Sequence, residues 1–294
     1  MKNTPLATQC TLRTAVRDDA EACGRVVFEA FQWIGERHGS PSDYASKRDA
    51  VQFVETFIGR PGIFSVVAVN ASQVVGCNFL EERDRIHSIG PLAVVPSAHG
   101  RGMGRRLMSA VIERAQGAAG VRLVQDAFNV ASMPLYASLG FAVREPLALM
   151  TGRLRSAPRA DAEVGLLREE DLDACAALCA RVHGFDRDRE LREALKEFSP
   201  FVAKRGDRLV AYASAPGFWL MNHGVSESEE DLQALLLGIG ARLDRPLSLL
   251  VPIRRTHFFR WCLREGLRMV KPLTLMTAGE YREPEGAYFP SISY

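Results

Sequence analysis

Apolar and polar positions in the first half of the chain follow two different periods, so this half contains both helices and strands. Apolar residues recur at helical spacing within residues 17–31 and again after residue 102, which predicts amphipathic helices. Apolar runs rich in β-branched residues predict strands between them, and the polar residues 36–48 predict a loop. The predicted elements are, in order, a strand at 11–16, helices at 17–31 and 50–58, strands at 63–69, 73–81 and 86–95, a helix at 102–118, a strand at 121–127, a helix at 131–138 and a strand at 141–154.

The second half of the chain repeats features of the first half. Residues 140–151 and 266–277 share Gly, Pro, Leu, Leu, Met and Thr at the same positions, with a constant offset of 126 residues, the difference between Gly266 and Gly140. The openings AVRDDAEAC and LLREEDLDAC also match, with one inserted residue. Matches at both ends indicate a duplicated domain. We therefore expect two α/β domains, each a twisted mixed sheet flanked by helices, at residues 10–154 and 160–294, joined by a polar linker.

The segment 92–115, LAVVPSAHGRGMGRRLMSAVIERA, predicts a strand, a glycine-rich turn and a helix. Glycines allow positive φ and let backbone N–H groups converge. The first turn of a helix also has unpaired N–H groups and a partial positive charge, so such a loop suits a pyrophosphate. The segment lacks the Lys-Ser/Thr of a P-loop, and its GxGxG spacing after Pro96 is a poor dinucleotide-binding fingerprint.

The run V-x-P-x-x-x-G-x-G-x-G in this segment resembles motif A of the GNAT superfamily of acyl-CoA-dependent N-acetyltransferases. The family consensus Q/R-x-x-G-x-G/A falls on His99, Gly102 and Gly104, and His99 departs from the usual Gln or Arg. The resemblance continues through residues 124–141, VQDAFNVASMPLYASLGF, and covers about residues 12–152.

The resemblance implies that acetyl-CoA is the acyl donor and assigns roles to particular residues. The backbone of one strand would pair with the pantetheine arm, and the glycine loop would hold the pyrophosphate. The strand residues are Leu92, Ala93 and Val94, and the loop residues are His99, Gly100, Arg101, Gly102, Met103, Gly104 and Arg105. Asn129 would contact the cofactor near the thioester, and Tyr136 would protonate the leaving thiolate. From the sequence alone, Tyr136 could instead be a core aromatic and Asn129 a helix N-cap.

An amine that attacks a thioester must also lose a proton, so the predicted reaction needs a base. Many GNAT relatives place a Glu on the strand before motif A, but residues 85–91 contain none. His87 is a candidate base on this strand, and Glu81 or Glu82 could act through water. Glu29 and His38 lie near the polar loop that usually covers the acceptor in this family.

The second repeat lacks a glycine loop at the corresponding place. Its predicted helix start carries four acids that would repel a pyrophosphate: Glu227, Glu229, Glu230 and Asp231. At the 126-residue offset Tyr136 corresponds to Cys262, and Asn129 to Arg255. We expect a degenerate GNAT-like domain that helps to close the acceptor pocket. Five of its aromatic residues could line that pocket or belong to the core: Phe218, Trp219, Phe258, Phe259 and Trp261.

Composition and charge argue against a protein that binds nucleic acid or spans a membrane. The net charge is only +2, from 37 basic and 35 acidic residues, with no basic run interleaved with aromatics, so no nucleic-acid partner is expected. The sequence contains no apolar run long enough to cross a membrane and no signal-like apolar stretch in residues 1–13, so we expect a cytoplasmic protein. Both a monomer and a homodimer are compatible with the sequence.

The six cysteines include no CxxC pair. Cys175, Cys179 and His183 are spaced by four residues on a predicted helix and could share one face, which is one way to hold a metal ion. The same stretch also has the pattern of an ordinary buried helix face, so reduced thiols and no metal site are expected.

The resemblance to the GNAT superfamily thus implies an acetyl-CoA-dependent N-acetyltransferase whose acceptor is a primary amine of a small molecule or peptide. Its amine attacks the thioester directly, with Tyr136 as the general acid. The alternative from a different class is an acyl-CoA-binding sensor with little catalysis, which the missing Glu and His99 suggest. Transfer of a longer acyl group is a third possibility.

Overall fold

Helices and strands alternate along residues 10–293, the part of the chain that the computed structural model describes. Residues 1–9 lie outside the described part of the chain. They make up most of residues 1–13, the segment in which the sequence has no signal-like apolar stretch. The strands are β1 Thr11–Thr14, β2 Ile63–Asn70, β3 Gln73–Glu81, β4 Ile86–Ile89, β5 Ala93–Val94, β6 Gly120–Asp126, β7 Ala142–Gly152, β8 Glu163–Leu166, β9 Phe201–Arg205, β10 Arg208–Ala213, β11 Gly224–Ser226, β12 Leu247–Pro252, β13 Arg268–Gly279 and β14 Ala287–Phe289. The helices are α1 Ala20–His38, α2 Lys47–Glu55, α3 Met103–Arg114, α4 Ser132–Ser138, α5 Leu172–His183, α6 Asp188–Glu197, α7 Glu229–Gly240 and α8 Thr256–Arg264.

The order of elements confirms the repeat predicted from the sequence. The series β1-α1-α2-β2-β3 recurs as β8-α5-α6-β9-β10, and α3-β6-α4-β7 recurs as α7-β12-α8-β13. Both repeats open with the same turn: the N–H of Val16 donates to Asp19 Oδ2 at 2.8 Å, and the N–H of Arg168 donates to Asp171 Oδ2 at 3.0 Å. The matching DD and EED sequences therefore build matching helix starts.

Strands from the two repeats alternate in the sheet order β6-β13-β7-β12. β7 and β13, which are counterparts, pair antiparallel, and Leu147 lies opposite Leu273, its counterpart at the 126-residue offset. The N–H of Ala127 donates to the carbonyl of Pro272 at 3.1 Å, and the equivalent bond from Ile253 to Pro146 is 3.0 Å. This part of the sheet thus has local two-fold symmetry, with each repeat's last strand placed beside a strand of the other.

Packing divides the chain into two compact units. One contains the described residues up to Arg83 together with His87–Val121 and Asn129–Gly140, and the other contains Asp84–Ile86, Arg122–Phe128 and the described residues from Phe141 onward. β7 belongs to the second unit because its partners are β12 and β13. The sequence division near residues 154–160 stays a prediction.

The first unit has the strand order β1-β2-β3-β4, and the short β5 also pairs with β3. Gly76 in β3 permits this arrangement, since a Cβ there would lie 2.9 Å from Leu107 Cδ1 on α3 and 3.1 Å from the carbonyl oxygen of Ala93 on β5. Leu107, Met108 and Val111 form the fully buried face of α3 that the helical spacing predicted.

Several predicted boundaries in the first unit were wrong. α1 continues through residues 32–38, where a loop was expected from residue 36, and stops at Gly39, whose φ of 64° breaks the helix. α2 starts earlier than predicted because the Ser46 hydroxyl accepts the N–H of Asp49. The strand expected at residues 86–95 is two strands, since Pro91 has no N–H to donate to a ladder. α3 ends four residues early, at Arg114.

The second unit also contains a five-stranded antiparallel sheet in the order β14-β11-β10-β9-β8. α7 packs against it with nearly all its apolar side chains buried, and Gly238 allows close approach, since a Cβ there would lie 2.4 Å from Val164 Cβ. Within residues 10–293, no helix is both long enough and apolar enough to span a membrane.

Candidate functional site

The glycine loop joins β5 to α3 in the first unit, as predicted. Gly100 has φ of 72° and Gly102 has φ of 76°, a left-handed conformation that other L-residues rarely adopt. A Cβ built on either glycine would meet no described atom within 4 Å. The backbone conformation therefore requires glycine here, and the space in front of both residues is open to a ligand.

The start of α3 carries a positive electrostatic potential. Its first turn contains no acidic residue, and Gly102, the N-cap, has no side chain that could accept the first N–H groups. Arg101 and Arg105 are exposed on either side of this turn. The unpaired N–H groups, the helix dipole and the two guanidinium groups together favour an anion at this point.

His99 stabilises the loop by bonding back to the strand that precedes it. Its Nε2 lies 2.8 Å from the carbonyl oxygen of Val94, and since a carbonyl only accepts, this nitrogen carries the proton. The ring of Trp33 on α1 packs edge-on against the imidazole, with centroids 4.9 Å apart. The His that departs from the family consensus thus fixes the shape of the loop through its side chain.

α4, which carries Tyr136, is attached to the start of α3 by two contacts. A Cβ on Gly104 would lie 3.4 Å from Leu135 Cδ2, so this glycine lets the two helices approach each other. Arg105 donates to Ser138 Oγ at 2.6 Å. Tyr136 lies between these contact residues and is 8% exposed. The structure therefore brings the predicted general acid and the predicted anion-binding loop together.

Asn129 caps the turn that leads into α4, two residues before the helix N-cap Ala131, which is close to one of the two roles considered from the sequence. Its Oδ1 accepts the N–H groups of Ala131 and Ser132, each at 3.3 Å. Because the side-chain oxygen is engaged at the start of α4, only the amide Nδ2 of Asn129 is left to donate to a ligand.

His87 lies on β4, and its Nδ1 is buried without a hydrogen-bond partner among residues 10–293. Burial lowers the pKa of His87 below its usual value, and the negative charges of Glu82 and Glu81 oppose that shift only in part. The imidazole is therefore neutral near pH 7, the state in which it can accept a proton.

The carboxylates considered as alternative bases are held in ion pairs. Glu82 Oε1 lies 2.7 Å from Arg114 NH2, and this hydrogen bond lowers the pKa of Glu82. Glu81 Oε1 lies 2.6 Å from Arg83 NH2. Glu29 has Arg25 at 3.5 Å on the same helix. The hydrogen bond from Arg114 makes Glu82 a weaker base, and His87 stays the candidate base on β4.

His87 and the glycine loop belong to opposite ends of α3. Arg114, which affects the pKa of His87, ends that helix, and the 12 residues of α3 span about 18 Å. An acyl-CoA places its thioester a pantetheine arm away from its pyrophosphate. Tyr136, however, lies on α4 beside the start of α3, so an amine that attacks next to Tyr136 would pass its proton to His87 through water rather than directly.

The corresponding helix start in the second repeat has the opposite charge. Ser228 Oγ accepts the N–H of Asp231 at 3.1 Å and caps α7, and three acids occupy the first turn. Asp231 Oδ1 is paired with Arg205 Nε at 2.7 Å. The groups that would receive an anion in the first repeat are thus satisfied by the protein's own side chains here.

The residues at the positions of Tyr136 and Asn129 also differ in the second repeat. Cys262 is fully buried, and burial raises its pKa well above the usual range. The guanidinium of Arg255 lies over the ring of Tyr288 and donates to the carbonyl of Pro284 at 2.7 Å. The side chain of Arg255 thus does not accept N–H groups ahead of its helix as Asn129 does, and Cys262 carries a thiol where Tyr136 carries a phenol.

The aromatic residues considered as pocket lining in the second repeat are engaged in packing. Phe258 and Trp261 stack with centroids 5.9 Å apart inside the core, and Phe259 packs against that core. Phe218 stacks on Phe198, and Lys271 Nζ lies 5.5 Å from the centre of the Trp219 ring. These contacts favour the core interpretation of the five residues.

The sequence interpretation missed Trp33 and Ser138. Trp33 holds His99 and in turn lies under the guanidinium of Arg37, 5.4 Å from the ring centre. Trp33 and Arg37 both lie on α1, beyond residue 31, where the sequence predicted that this helix would end. A tryptophan among polar residues one turn after an apolar helix face was the available signal.

The segment that holds the glycine loop is similar to known acetyltransferases. A family model described as an acetyltransferase (GNAT) domain matches residues 61–143. The mycothiol acetyltransferase of Nocardia farcinica (strain IFM 10152) is 32% identical over 132 residues, which are 42% of this chain and 42% of that protein. The chain thus matches less than half the length of this relative.

Solved structures match nearly the whole chain at low sequence identity. A proposed acetyltransferase from Pyrococcus horikoshii superimposes with a TM-score of 0.75 over 100% of this chain and 98% of that chain, at 16% identity. A GCN5-related N-acetyltransferase from Sphaerobacter thermophilus gives 0.61 over 97% and 98%, also at 16% identity. A tandem GNAT protein of the clavulanic acid biosynthesis pathway gives 0.55 over 95% and 99%, at 12% identity. These similarities show the fold of the whole chain.

Proposed function

We propose, from the premise that this chain contains a GNAT acetyltransferase domain, that it transfers an acetyl group from acetyl-CoA to a primary amine. The acceptor is a small molecule or a peptide. The observation that carries the proposal is the start of α3, where two glycines with positive φ face open space beside exposed Arg101 and Arg105.

In this proposal the first repeat holds the donor. Of the predicted loop residues His99 to Arg105, those from Gly100 onward offer backbone N–H groups to the pyrophosphate, since the N–H of His99 donates to the carbonyl of Pro96 at 3.2 Å. The two arginines add charge-assisted contacts. The backbone at Leu92, Ala93 and Val94 pairs with the pantetheine arm. Only Ala93 and Val94 lie in a strand, so they supply the regular part of that pairing, and Leu92 precedes it. Asn129 donates through Nδ2 near the thioester.

The chemical step is a direct attack of a neutral amine on the thioester carbonyl. A new C–N bond forms as the C–S bond breaks, and the proton of the amine passes through water to His87. Tyr136 donates its phenolic proton to the leaving thiolate. Its position on α4, which Leu135 and Ser138 hold against the loop, supports this role.

A sensor that binds acyl-CoA without turnover is the second candidate. It is favoured by the capping role of Asn129, whose Oδ1 is engaged with backbone N–H groups, and by the absence of a Glu on β4. A sensor would bind acetyl-CoA tightly and release no thiol with any acceptor.

The test is a thiol-release assay with acetyl-CoA and a panel of amines that contains polyamines, amino sugars, amino acids and peptide N-termini. We expect CoA release that depends on one class of amine, with matching acetylated product by mass spectrometry. If the protein binds acetyl-CoA tightly but releases no CoA with any amine of the panel, the enzyme is wrong and the sensor is the better account. Release that is unchanged in Tyr136→Phe would remove the assigned acid.

A further inference from the structure

Three potential metal-binding side chains converge inside the second unit, in a cluster that the proposed reaction does not use. They are Cys179, His183 and His223, and one donor atom from each lies within 4.8 Å of the donor atoms of the other two. All three residues are at most 2% exposed. This spacing is compatible with a single ion that contacts all three side chains.

The fold brings the three side chains together from two directions. Cys179 and His183 are four residues apart and share one face of α5. His223 precedes β11, and its backbone is fixed to Ser214 after β10: the N–H of Ser214 donates to the carbonyl of His223 at 2.8 Å, and the N–H of His223 donates to Ser214 Oγ at 2.9 Å. The third side chain is thus held rigidly opposite the helix face.

Tyr212 orients two of the three groups. Its hydroxyl lies 3.5 Å from His223 Nδ1 and hydrogen-bonds the thiol of Cys179. His223 Nε2 is buried and has no hydrogen-bond partner within the described chain. If Nδ1 donates to Tyr212 and Tyr212 donates to the sulfur, Nε2 of His223 keeps a lone pair that points away from Tyr212, which is the usual outer-shell arrangement of a metal-bound histidine.

Two buried arginines, Arg187 and Arg122, lie close enough to act on His183. Arg187 is bonded to the buried Glu190, and Arg122 lies over the rings of Phe185 and Tyr281. A metal ion at this position therefore needs negative charge from one of its ligands. One thiolate then offsets part of the charge of a divalent ion. The thiol proton of Cys179 is released to solvent when the sulfur binds the metal.

We propose that Cys179, His183 and His223 bind a zinc ion that ties α5 to the segment before β11. A sulfur and two imidazole nitrogens are the ligand types that zinc prefers, and three such ligands leave the fourth tetrahedral position to a water molecule or another donor. The sequence indicated two of the three ligands, Cys179 and His183, but grouped them with Cys175. The third ligand is His223, 40 residues beyond His183 in the chain. The inference is independent of the proposed acetyl transfer.

The test is the zinc content of the full chain, purified without a histidine tag and measured by plasma mass spectrometry. We expect about one zinc per chain in the wild type, loss of zinc in Cys179→Ser and His223→Gln, and full zinc in Cys175→Ser. Cys175 is the matched control because it is a buried cysteine one turn earlier on the same helix, outside the cluster.

If a variant does not fold, the site can still be tested on the wild-type protein. Refolding it with Co²⁺ should produce the thiolate-to-cobalt charge-transfer absorption and a higher melting temperature than refolding with a chelator. The proposal is overturned if folded wild-type protein contains no zinc and refolds with Co²⁺ without that absorption. It is also overturned if folded His223→Gln retains the full zinc content.

Discussion

The starts of α3 and α7 occupy the same place in the two repeats and have opposite character. At α3, Gly102 leaves the first N–H groups uncapped beside two exposed arginines. At α7, Ser228 caps the helix, and three acids follow it. A helix start attracts an anion only while its N–H groups and its dipole are not already compensated.

The two helix starts differ in charge although both helices occupy the same place in the duplicated fold. Both helices pack their apolar faces into a core, so the fold does not depend on what occupies the helix start. In the second repeat the protein's own carboxylates fill the electrostatic role that an external phosphate would fill in the first. Asp231, for example, is both capped by Ser228 and paired with Arg205. The account therefore assigns one acyl-CoA site to each chain.

The largest expected effect comes from giving the first repeat the charge of the second. Gly102→Glu puts a carboxylate where the pyrophosphate is proposed to bind and places a side chain at φ of 76°, which costs about 1–2 kcal/mol. We expect acetyl-CoA binding and turnover to fall to background while circular dichroism shows a folded protein. Binding that persists in a folded variant would contradict the loop assignment.

The matched control is Ser228→Ala at the start of α7. It removes a helix cap, so the free energy of unfolding should fall by about 1 kcal/mol in denaturant titration. Acetyl-CoA affinity should stay at the wild-type value. A loss of affinity comparable to that of Gly102→Glu would mean that the second helix start takes part in binding.

The second effect separates Tyr136 from its counterpart Cys262. Tyr136→Phe should lower kcat about 1000-fold through loss of the general acid, with acetyl-CoA affinity unchanged. Cys262→Ala should leave kcat unchanged. Steady-state kinetics with calorimetric binding would test this, and a Tyr136→Phe variant that loses binding but not kcat would assign the tyrosine to positioning.

The third effect is a pH dependence of the first repeat. His87 accepts a proton only when it is neutral, and burial lowers its pKa, so the rate should fall on the acidic side as pH drops through that lowered pKa. His87→Gln should be about 100-fold slower and lack this acidic limb. Glu82→Gln should move the limb to lower pH, because Glu82 raises the pKa of His87. An acidic limb that is unchanged in His87→Gln would identify another base.

The smallest expected effect concerns Asp19, whose carboxylate accepts the N–H of Val16 at the opening of the first repeat. The hydrogen bond from Arg13 lowers the pKa of Asp19, so the ionised carboxylate adds stability above the ordinary pKa of aspartate, and this is lost as pH falls through the lowered value. Asp19→Asn keeps an oxygen that accepts the N–H of Val16 but loses the ion pair with the half-exposed Arg13. The free energy of unfolding should therefore fall by about 1 kcal/mol at pH 7 and should not change in acid. An equal cost at both pH values would show that the charge is irrelevant.

The sequence predicted local features better than the features that depend on distant partners. The order of elements, the repeat and the glycine loop follow from periodicity and spacing, and the structure has them. The role of His99 did not follow, because it depends on Trp33, which lies 66 residues away in the chain. The pairing of β7 with β13 could not be predicted either. The two strands have the same apolar pattern, so that pattern does not indicate which strand lies beside which. Asn129 illustrates a third case: spacing offered both a cap and a cofactor contact, and only the geometry shows the cap.

The most direct test of the central claim is the stoichiometry of CoA binding to the full chain by isothermal titration calorimetry. The account predicts about one CoA per chain, released by competition with acetyl-CoA and abolished in Gly102→Glu. Two equivalents per chain, or one equivalent that survives in folded Gly102→Glu, would contradict it.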